Sequence, residues 1–160
     1  MNFRAVKEVM NRLEARLAQS PSAAYRVPGL WLNPNGPLEA QQVVPEEFFL
    51  GRLRAILAQE PQSRVTDGDV PGDWGKNAIA YNLLVRYGAA FDHNGDGSVS
   101  PALLANGWRE TGTFLKAITL LPFIRSLGCN TVHLLPITSI GQDGHKGDMG
   151  SAFAIRDPYA

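Results

Sequence analysis

A helical pattern and a strand pattern follow one another in residues 112–141, which read GTFLKAITLLPFIRSLGCNTVHLLPITSIG. Apolar residues recur at helical spacing over residues 113–127, and Gly128 is placed to cap the C-terminus of this helix. Pro122 lies inside the segment and is expected to kink or restart the helix. Residues 130–137 are then almost continuously apolar, which predicts a buried strand.

A second strand pattern lies upstream of this helix. Residues 78–85, AIAYNLLV, are nearly all apolar and suit a strand that is buried on both faces of a parallel sheet. Strand, helix and strand at this spacing predict a βαβ unit with parallel strands and a right-handed crossover. A parallel pair needs further strands beside it, so we interpret the fold class as α/β and expect the sheet to be incomplete in this chain.

The N-terminal part of the chain has a different pattern. Residues 2–19 predict an amphipathic helix that ends at Ser20-Pro21, because proline cannot continue the hydrogen-bond ladder. A second helix is predicted over residues 46–59, where apolar residues again recur at helical spacing. The remaining stretches are rich in Pro, Gly and Asn and predict an ordered loop and a turn-forming segment: residues 21–44 and 60–76.

Four segments together carry a family resemblance. Residues 112–141 resemble the first barrel helix and second barrel strand of the α-amylase family, glycoside hydrolase family 13. In that family a turn similar to LKSLG leads into a strand similar to TxxxLxPI, and the matching residues here are IRSLG at 124–128 and TVHLLPI at 131–137. The segments AYNLLVR at 80–86 and GSAFAIRDPY at 150–159 resemble the first strand and the loop after the second strand.

The resemblance covers residues 78–160 and implies an incomplete TIM-type (β/α)8 barrel, with residues 1–77 as an N-terminal helical extension. It also implies that the parent protein is a retaining glycoside hydrolase or transglycosylase that acts on α-glucans. Such enzymes use two carboxyl groups about 5–5.5 Å apart, which in this family follow later strands of the barrel. We therefore expect no catalytic residue in this chain and no activity of the chain alone.

The sharpest local motif is DHNGDGS at residues 92–98. Oxygen-bearing side chains at alternating positions, with glycines that permit tight turns, can surround a calcium ion. The family resemblance implies that such a calcium loop follows the first strand, with these ligands: Asp92, Asn94 and Asp96 through their side chains, and Ser98 through its carbonyl. The last Asp of the family motif is Ser100 here, so a polar turn in which Asp and Asn cap their own backbone remains an alternative.

The loop after the second strand supplies the substrate-binding candidate. Phe153 falls where the family has a tyrosine that stacks on a sugar ring, although the ring could instead pack the loop onto the barrel. Ala154 replaces an Asp that binds the same sugar in typical members, which leaves the substrate open. Four other carboxylates are interpreted as solvated surface charges: Glu110, Asp143, Asp148 and Asp157. His133 is expected to be a hydrogen-bonded core residue.

Composition limits the remaining classes of function. Lys+Arg and Asp+Glu both number 15, so no basic surplus predicts binding to a nucleic acid or an anionic membrane. No signal peptide or membrane-spanning pattern is present and Cys129 is the one cysteine, so we expect a cytoplasmic protein. A non-catalytic calcium- or glucan-binding protein is the alternative function. The sequence leaves the oligomeric state, the cleaved linkage and the choice between hydrolysis and transfer open.

Overall fold

The computed structural model describes residues 4–59, 72–141, 143 and 146–157. Within these ranges the chain is mixed α/β, with five helices, four short strands in two separate pairs, and one 3-10 turn at Asp73–Asn77. In chain order the helices and strands are α1 (Arg4–Gln19), β1 (Tyr25–Val27), α2 (Gly29–Leu32), β2 (Gln41–Val43), α3 (Pro45–Leu57), β3 (Ala80–Leu83), α4 (Val85–Gly88), α5 (Phe114–Ser126) and β4 (Thr131–Leu134).

The two predicted N-terminal helices are confirmed as α1 and α3, apart from residues 2–3, which lie outside the described residues. Helix α3 begins one residue earlier than predicted, at Pro45, because proline is suited to the first helical position, where no hydrogen-bond donor is needed. Helix α1 contributes Leu13 to the core and packs against α3, which contributes Phe49, Leu50 and Leu53.

The prediction of a loop over residues 21–44 is wrong in part, because this segment contains β1, α2 and β2. The two strands pair antiparallel, with Tyr25 opposite Val43 and Val27 opposite Gln41. Each strand has three residues, too few to show an alternating pattern in the sequence. The chain between them folds back closely, since a Cβ added at Gly29 would lie 1.9 Å from the carbonyl oxygen of Pro37.

The predicted βαβ unit is confirmed as far as element order and parallel pairing are concerned. Strands β3 and β4 are parallel, with Ala80 opposite Thr131 and Leu83 opposite Leu134, and α5 lies between them in the chain. Helix α5 starts at the cap residue Thr113, whose hydroxyl accepts from the backbone N–H of Lys116 at 3.3 Å. It continues through Pro122 without a break and is followed by Gly128 at φ 85°, so the predicted restart is wrong.

The prediction that β3 is buried on both faces is also wrong. Within β3 only Leu83 is fully buried, and β4 has no fully buried residue. Side chains alternate between the two faces of a strand, and Asn82 and His133 are register partners on the uncovered face. His133 is exposed and its Nδ1 lies 2.8 Å from Asn82 Oδ1, which corrects its assignment to the core.

Both parts of the chain contribute to one hydrophobic core. Phe49 of α3 stacks on Trp108 with ring centroids 5.2 Å apart and planes 24° apart, and α2 and α3 both pack against α5. The predicted division at residue 77 therefore separates two segments that are packed together. The described residues form no closed barrel. None of the helices within them has the length and apolar character required to cross a bilayer.

Candidate functional site

A cleft of about 280 Å³ lies at the carboxyl ends of the parallel strands β3 and β4. The carboxyl edge of a parallel sheet is where α/β proteins commonly bind ligands, because the loops that leave successive strands meet there. The cleft is lined by the start of α4, the start of α5 and the loop after β4: Val85, Arg86, Gly112, Thr113, Phe114, Pro136, Ile137, Thr138, Ile140 and Ala152.

Hydrogen bonds join α4 to the loop after β4 and to the segment before α5. Tyr87 donates its hydroxyl hydrogen to the carbonyl of Gly150 at 2.5 Å, and Arg86 Nη1 donates to the carbonyl of Met149 at 3.3 Å. Gly112 donates its N–H to the carbonyl of Arg86 at 2.8 Å. A Cβ at Gly112 would lie 1.7 Å from the carbonyl oxygen of Val85, so this wall requires glycine.

The lining of the cleft is mostly apolar with three polar side chains. Arg86 is the charged residue among the described lining residues, and Thr113 and Thr138 provide hydroxyl groups. Thr138 Oγ1 is buried and has no hydrogen-bond partner within the described part of the chain. No Asp or Glu is among the described residues that line the cleft, so they provide no carboxyl group for acid, base or nucleophilic chemistry.

Phe153 follows the lining residue Ala152 in the loop after β4. Its side chain is 67 % exposed, whereas Ala152 is buried. The backbone N–H of Phe153 donates to Ser151 Oγ at 3.3 Å, within a turn that also contains the bond from the Ala154 N–H to the Ser151 carbonyl at 3.0 Å. The phenyl ring is therefore mostly in solvent, and it belongs to the residue next in the chain to the cleft lining.

The structure brings the four predicted cation ligands together in one tight turn after β3. Asp92 Oδ1 accepts from the N–H groups of Gly95 at 2.6 Å and Asp96 at 3.2 Å, and Asp92 Oδ2 accepts from Gly97 at 3.0 Å. Asn94 Oδ1 accepts from the Asp96 N–H at 2.8 Å, while Asn94 Nδ2 donates to Asp96 Oδ2 at 2.8 Å. These bonds are those of a polar turn that caps its own backbone.

The carboxylate of Asp96 is held in its charged form. Asp96 Oδ1 accepts from the hydroxyl and the N–H of Ser98 at 2.8 and 2.9 Å. Hydrogen bonds from Ser98, and then from Asn94, lower the pKa of Asp96 below its ordinary value. The turn passes through positive φ at Gly95 and Gly97, 82° and 89°, conformations that glycine adopts without strain.

Calcium prefers six to eight oxygen ligands, and this turn offers a partial set. In the described ranges no three His, Cys, Asp or Glu side chains are grouped so as to hold a metal ion. A cation here would depend on two carboxylates, the Asn94 carbonyl and backbone oxygens. Asp92 Oδ1 and Asp96 Oδ1 already accept two hydrogen bonds each. Asp92 Oδ2 and Asp96 Oδ2 accept one each and keep a second lone pair that could bind a cation while the turn remains intact.

Glu110 lies behind this turn and is not a surface charge, which corrects the interpretation of its carboxylate as solvated. Its side chain is 0 % exposed. Glu110 Oε1 accepts from the N–H groups of His93 at 3.0 Å and Asn94 at 3.3 Å, and Oε2 accepts from the N–H of Ser100 at 3.0 Å. By contrast, Asp143, Asp148 and Asp157 are exposed, as predicted.

Lys116 is the second buried charged side chain near the turn. Its ammonium donates to three consecutive backbone carbonyls, those of Arg109, Glu110 at 3.1 Å and Thr111 at 3.0 Å. Burial lowers the pKa of Lys116 to about 7, and the charge of Glu110 acts in the opposite direction. Lys116 precedes Leu120 and Ile124 at intervals of four on the buried face of α5, and this spacing is the signal that could have identified it.

His93 is enclosed by aromatic rings. It stacks on Tyr25 with ring centroids 4.1 Å apart, and Trp31 and Phe91 meet it edge-on. Nδ1 lies 2.5 Å from the carbonyl oxygen of Arg26, which fits an Nδ1–H tautomer. Burial lowers the pKa of His93 to about 4, so the ring is neutral at pH 7 and fixes the turn to β1.

No protein-family model matches this chain, and no curated protein is significantly similar to it.

Proposed function

We propose that this chain supplies the first part of an α-amylase-type barrel, in a retaining glycoside hydrolase or transglycosylase that acts on α-glucans. The observation that carries the proposal is the β3–α5–β4 unit with a cleft at the carboxyl edge of its parallel strands. In TIM barrels the active site is built from the loops at this edge. The segments that form the unit are those whose sequence resembles the family.

The exposed apolar side chains at the ends of β3 and β4 support a larger sheet. Parallel sheets are normally covered on both faces, because their crossover helices pack on them. Here three large apolar side chains at the ends of the two strands are about half exposed: Ile79 at 58 %, Leu134 at 41 % and Ile137 at 59 %. Such exposure is expected of a pair of strands that packs against additional barrel strands.

The turn at residues 92–98 supports the same proposal. It follows the first parallel strand, as the calcium loop of the family does, and it holds Asp92, Asn94, Asp96 and Ser98 around shared hydrogen bonds. The proposed cation would be calcium, bound by two carboxylates, one amide oxygen and the Ser98 carbonyl, with water completing the shell. The calcium ion would stabilise the loop and would take no part in acid or base chemistry.

One observation favours the alternative of a binding protein that does not cleave its ligand. The described lining of the cleft contains no carboxylate, whereas Phe153, an exposed aromatic residue, directly follows the lining residue Ala152 in the chain. Stacking of an aromatic ring on a sugar needs no carboxyl group. Cleavage requires a pair of carboxyl groups that later strands would have to contribute.

An assay of the complete gene product that contains this chain separates the two functions. The enzyme proposal expects reducing sugar to be released from soluble starch, with retention of the anomeric configuration in the product. Binding of starch by a gene product that releases no sugar would establish the alternative. A gene product that neither binds nor cleaves starch would contradict both functions.

Substitution of Phe153 tests whether the cleft is the glucan site. Titration of the 160-residue chain with maltoheptaose should give an affinity that falls about tenfold in Phe153→Ala, since a stacked ring contributes about 1–1.5 kcal/mol. Trp74→Ala is the matched control, because Trp74 is also an exposed aromatic residue but precedes β3, at the amino end of the sheet. Equal losses in both variants would place the glucan elsewhere.

A further inference from the structure

Both ends of the turn that follows β3 are bound to a single buried side chain. The carboxylate of Glu110 accepts from His93 and Asn94 at the start of the turn through one oxygen, and from Ser100 at its end through the other. Water cannot readily compete for the carboxylate, because the Glu110 side chain is fully buried. Hydrogen bonds to a carboxylate are about twice as strong as those between neutral groups.

Glu110 is itself fixed from the opposite side. The ammonium of Lys116 donates to the carbonyls of Arg109, Glu110 and Thr111, which holds the backbone that carries Glu110 against helix α5. The N–H of Phe91 also donates to the Glu110 carbonyl at 3.0 Å. The carboxylate is thus set at a defined position before any ligand reaches the turn.

We propose that Glu110 is the positioning residue that sets the cation affinity of the turn at residues 92–98. This inference rests on the proposed function, in which that turn binds calcium. Glu110 does not ligate the cation. It holds the backbone from His93 to Ser100 so that Asp92, Asn94 and Asp96 converge without a metal. A loop that is ordered in advance loses little conformational entropy on binding, and its affinity rises accordingly.

The replacement Glu110→Gln tests this role with minimal change in shape. Glutamine has one acceptor oxygen in place of two, so it cannot accept from both ends of the turn, and its NH2 group would face an N–H donor. Calcium titration of the 160-residue chain by calorimetry should show at least tenfold weaker binding in this variant. The matched control is Glu47→Gln, because Glu47 is an exposed glutamate in the first turn of α3.

A luminescence measurement separates positioning from ligation. Terbium can be bound in place of calcium, and its emission lifetimes in light and heavy water give the number of water molecules on the ion. Glu110→Gln should leave this number unchanged, because the ligands are retained, whereas Asp92→Ala, which removes a ligand, should raise it. An increased water number in Glu110→Gln would assign Glu110 as a ligand and overturn the proposal.

The remaining outcomes are also decisive. A wild-type chain that binds no calcium would contradict the calcium part of the proposed function, and the inference with it. Calcium binding of equal strength in the wild type and in Glu110→Gln would overturn the inference alone.

If Glu110→Gln does not fold, the pair Ser100→Pro and Ser100→Ala replaces it. Both remove the hydroxyl, but only proline removes the N–H that Glu110 accepts, so only proline should weaken binding.

Discussion

Among the buried ionisable side chains of the described residues, three lie around the turn at residues 92–98: Glu110, Lys116 and His93. Burial of such groups is unfavourable unless hydrogen bonds replace the lost water. Glu110 and Lys116 each make three bonds to the backbone, so their burial orders the segments that they contact. His93 makes one bond through Nδ1, and its Nε2 has no partner among the described residues. Protonation of Nε2 would therefore place a positive charge in the interior with no acceptor for the new N–H.

The lowered pKa of His93 predicts a dependence of stability on pH. The ring takes up its proton at about pH 4 in the folded protein, and at about pH 6.5 in the unfolded chain. Between these values the unfolded chain binds more protons, so the free energy of unfolding is largest above pH 6.5 and falls as the pH is lowered. The slope approaches about 1.4 kcal/mol per pH unit.

Urea unfolding between pH 5 and 7 would measure this slope. His93→Phe keeps the ring stack with Tyr25 but removes the titrating group, so its slope should be smaller than that of the wild type. His133→Gln is the control, because His133 is exposed and should leave the slope unchanged. Identical slopes in wild type and His93→Phe would show that His93 does not titrate as its burial requires.

At the scale of elements, the cleft forms where the segment before α5 lies against the residues that follow β3. Gly112 lies against the Val85 carbonyl, and its N–H bonds to the next carbonyl along the chain, that of Arg86. The cap residue Thr113 follows immediately and starts α5. This glycine thus brings the start of α5 close to the end of β3, where both segments line the cleft.

Substitution of this glycine should be strongly destabilising. Gly112→Ala would place a Cβ 1.7 Å from a backbone oxygen that cannot rotate away, so the free energy of unfolding should fall by more than about 2 kcal/mol. Gly51→Ala is the matched control in α3, where an added Cβ meets nothing within 4 Å, and it should raise stability by about 0.5–1 kcal/mol. Chemical denaturation measures both changes, and a neutral Gly112→Ala would refute the close approach.

At the scale of the whole molecule, residues before and after position 77 form one core. Phe49 of α3 and Trp108 of the loop before α5 stack on each other, and Tyr25 contacts both His93 and Trp108. These contacts join the N-terminal helices to the βαβ unit that carries the cleft. We therefore expect the two segments to unfold together.

Removal of the Phe49 ring tests this coupling. Phe49 is fully buried, so Phe49→Ala should lower the free energy of unfolding by about 3–5 kcal/mol. Amide hydrogen exchange should then become faster in α5 as well as in α1 and α3, because the core is shared. Faster exchange confined to α1 and α3 would mean that the segments unfold separately. Leu38→Ala, at a largely exposed position, should alter neither region.

Features that depend on neighbouring residues were predictable from the sequence. The extents of α1, α3 and α5, the capping glycine at position 128 and the parallel order of β3 and β4 all follow from apolar spacing and from turn residues. The cluster of oxygens at residues 92–98 was also predictable, because its residues lie within seven consecutive positions and bond to one another.

Features that depend on residues far apart in the chain were decided by the tertiary fold. The pairing of β1 with β2 leaves no periodic pattern, because each strand has three residues. Glu110 has the sequence context of a surface residue, yet it is buried because segments 93–94 and 100 surround it with N–H donors. The exposure of His133 follows from the uncovered face of the sheet. Local sequence determines which backbone conformation is favourable, whereas burial depends on which distant segments pack against it.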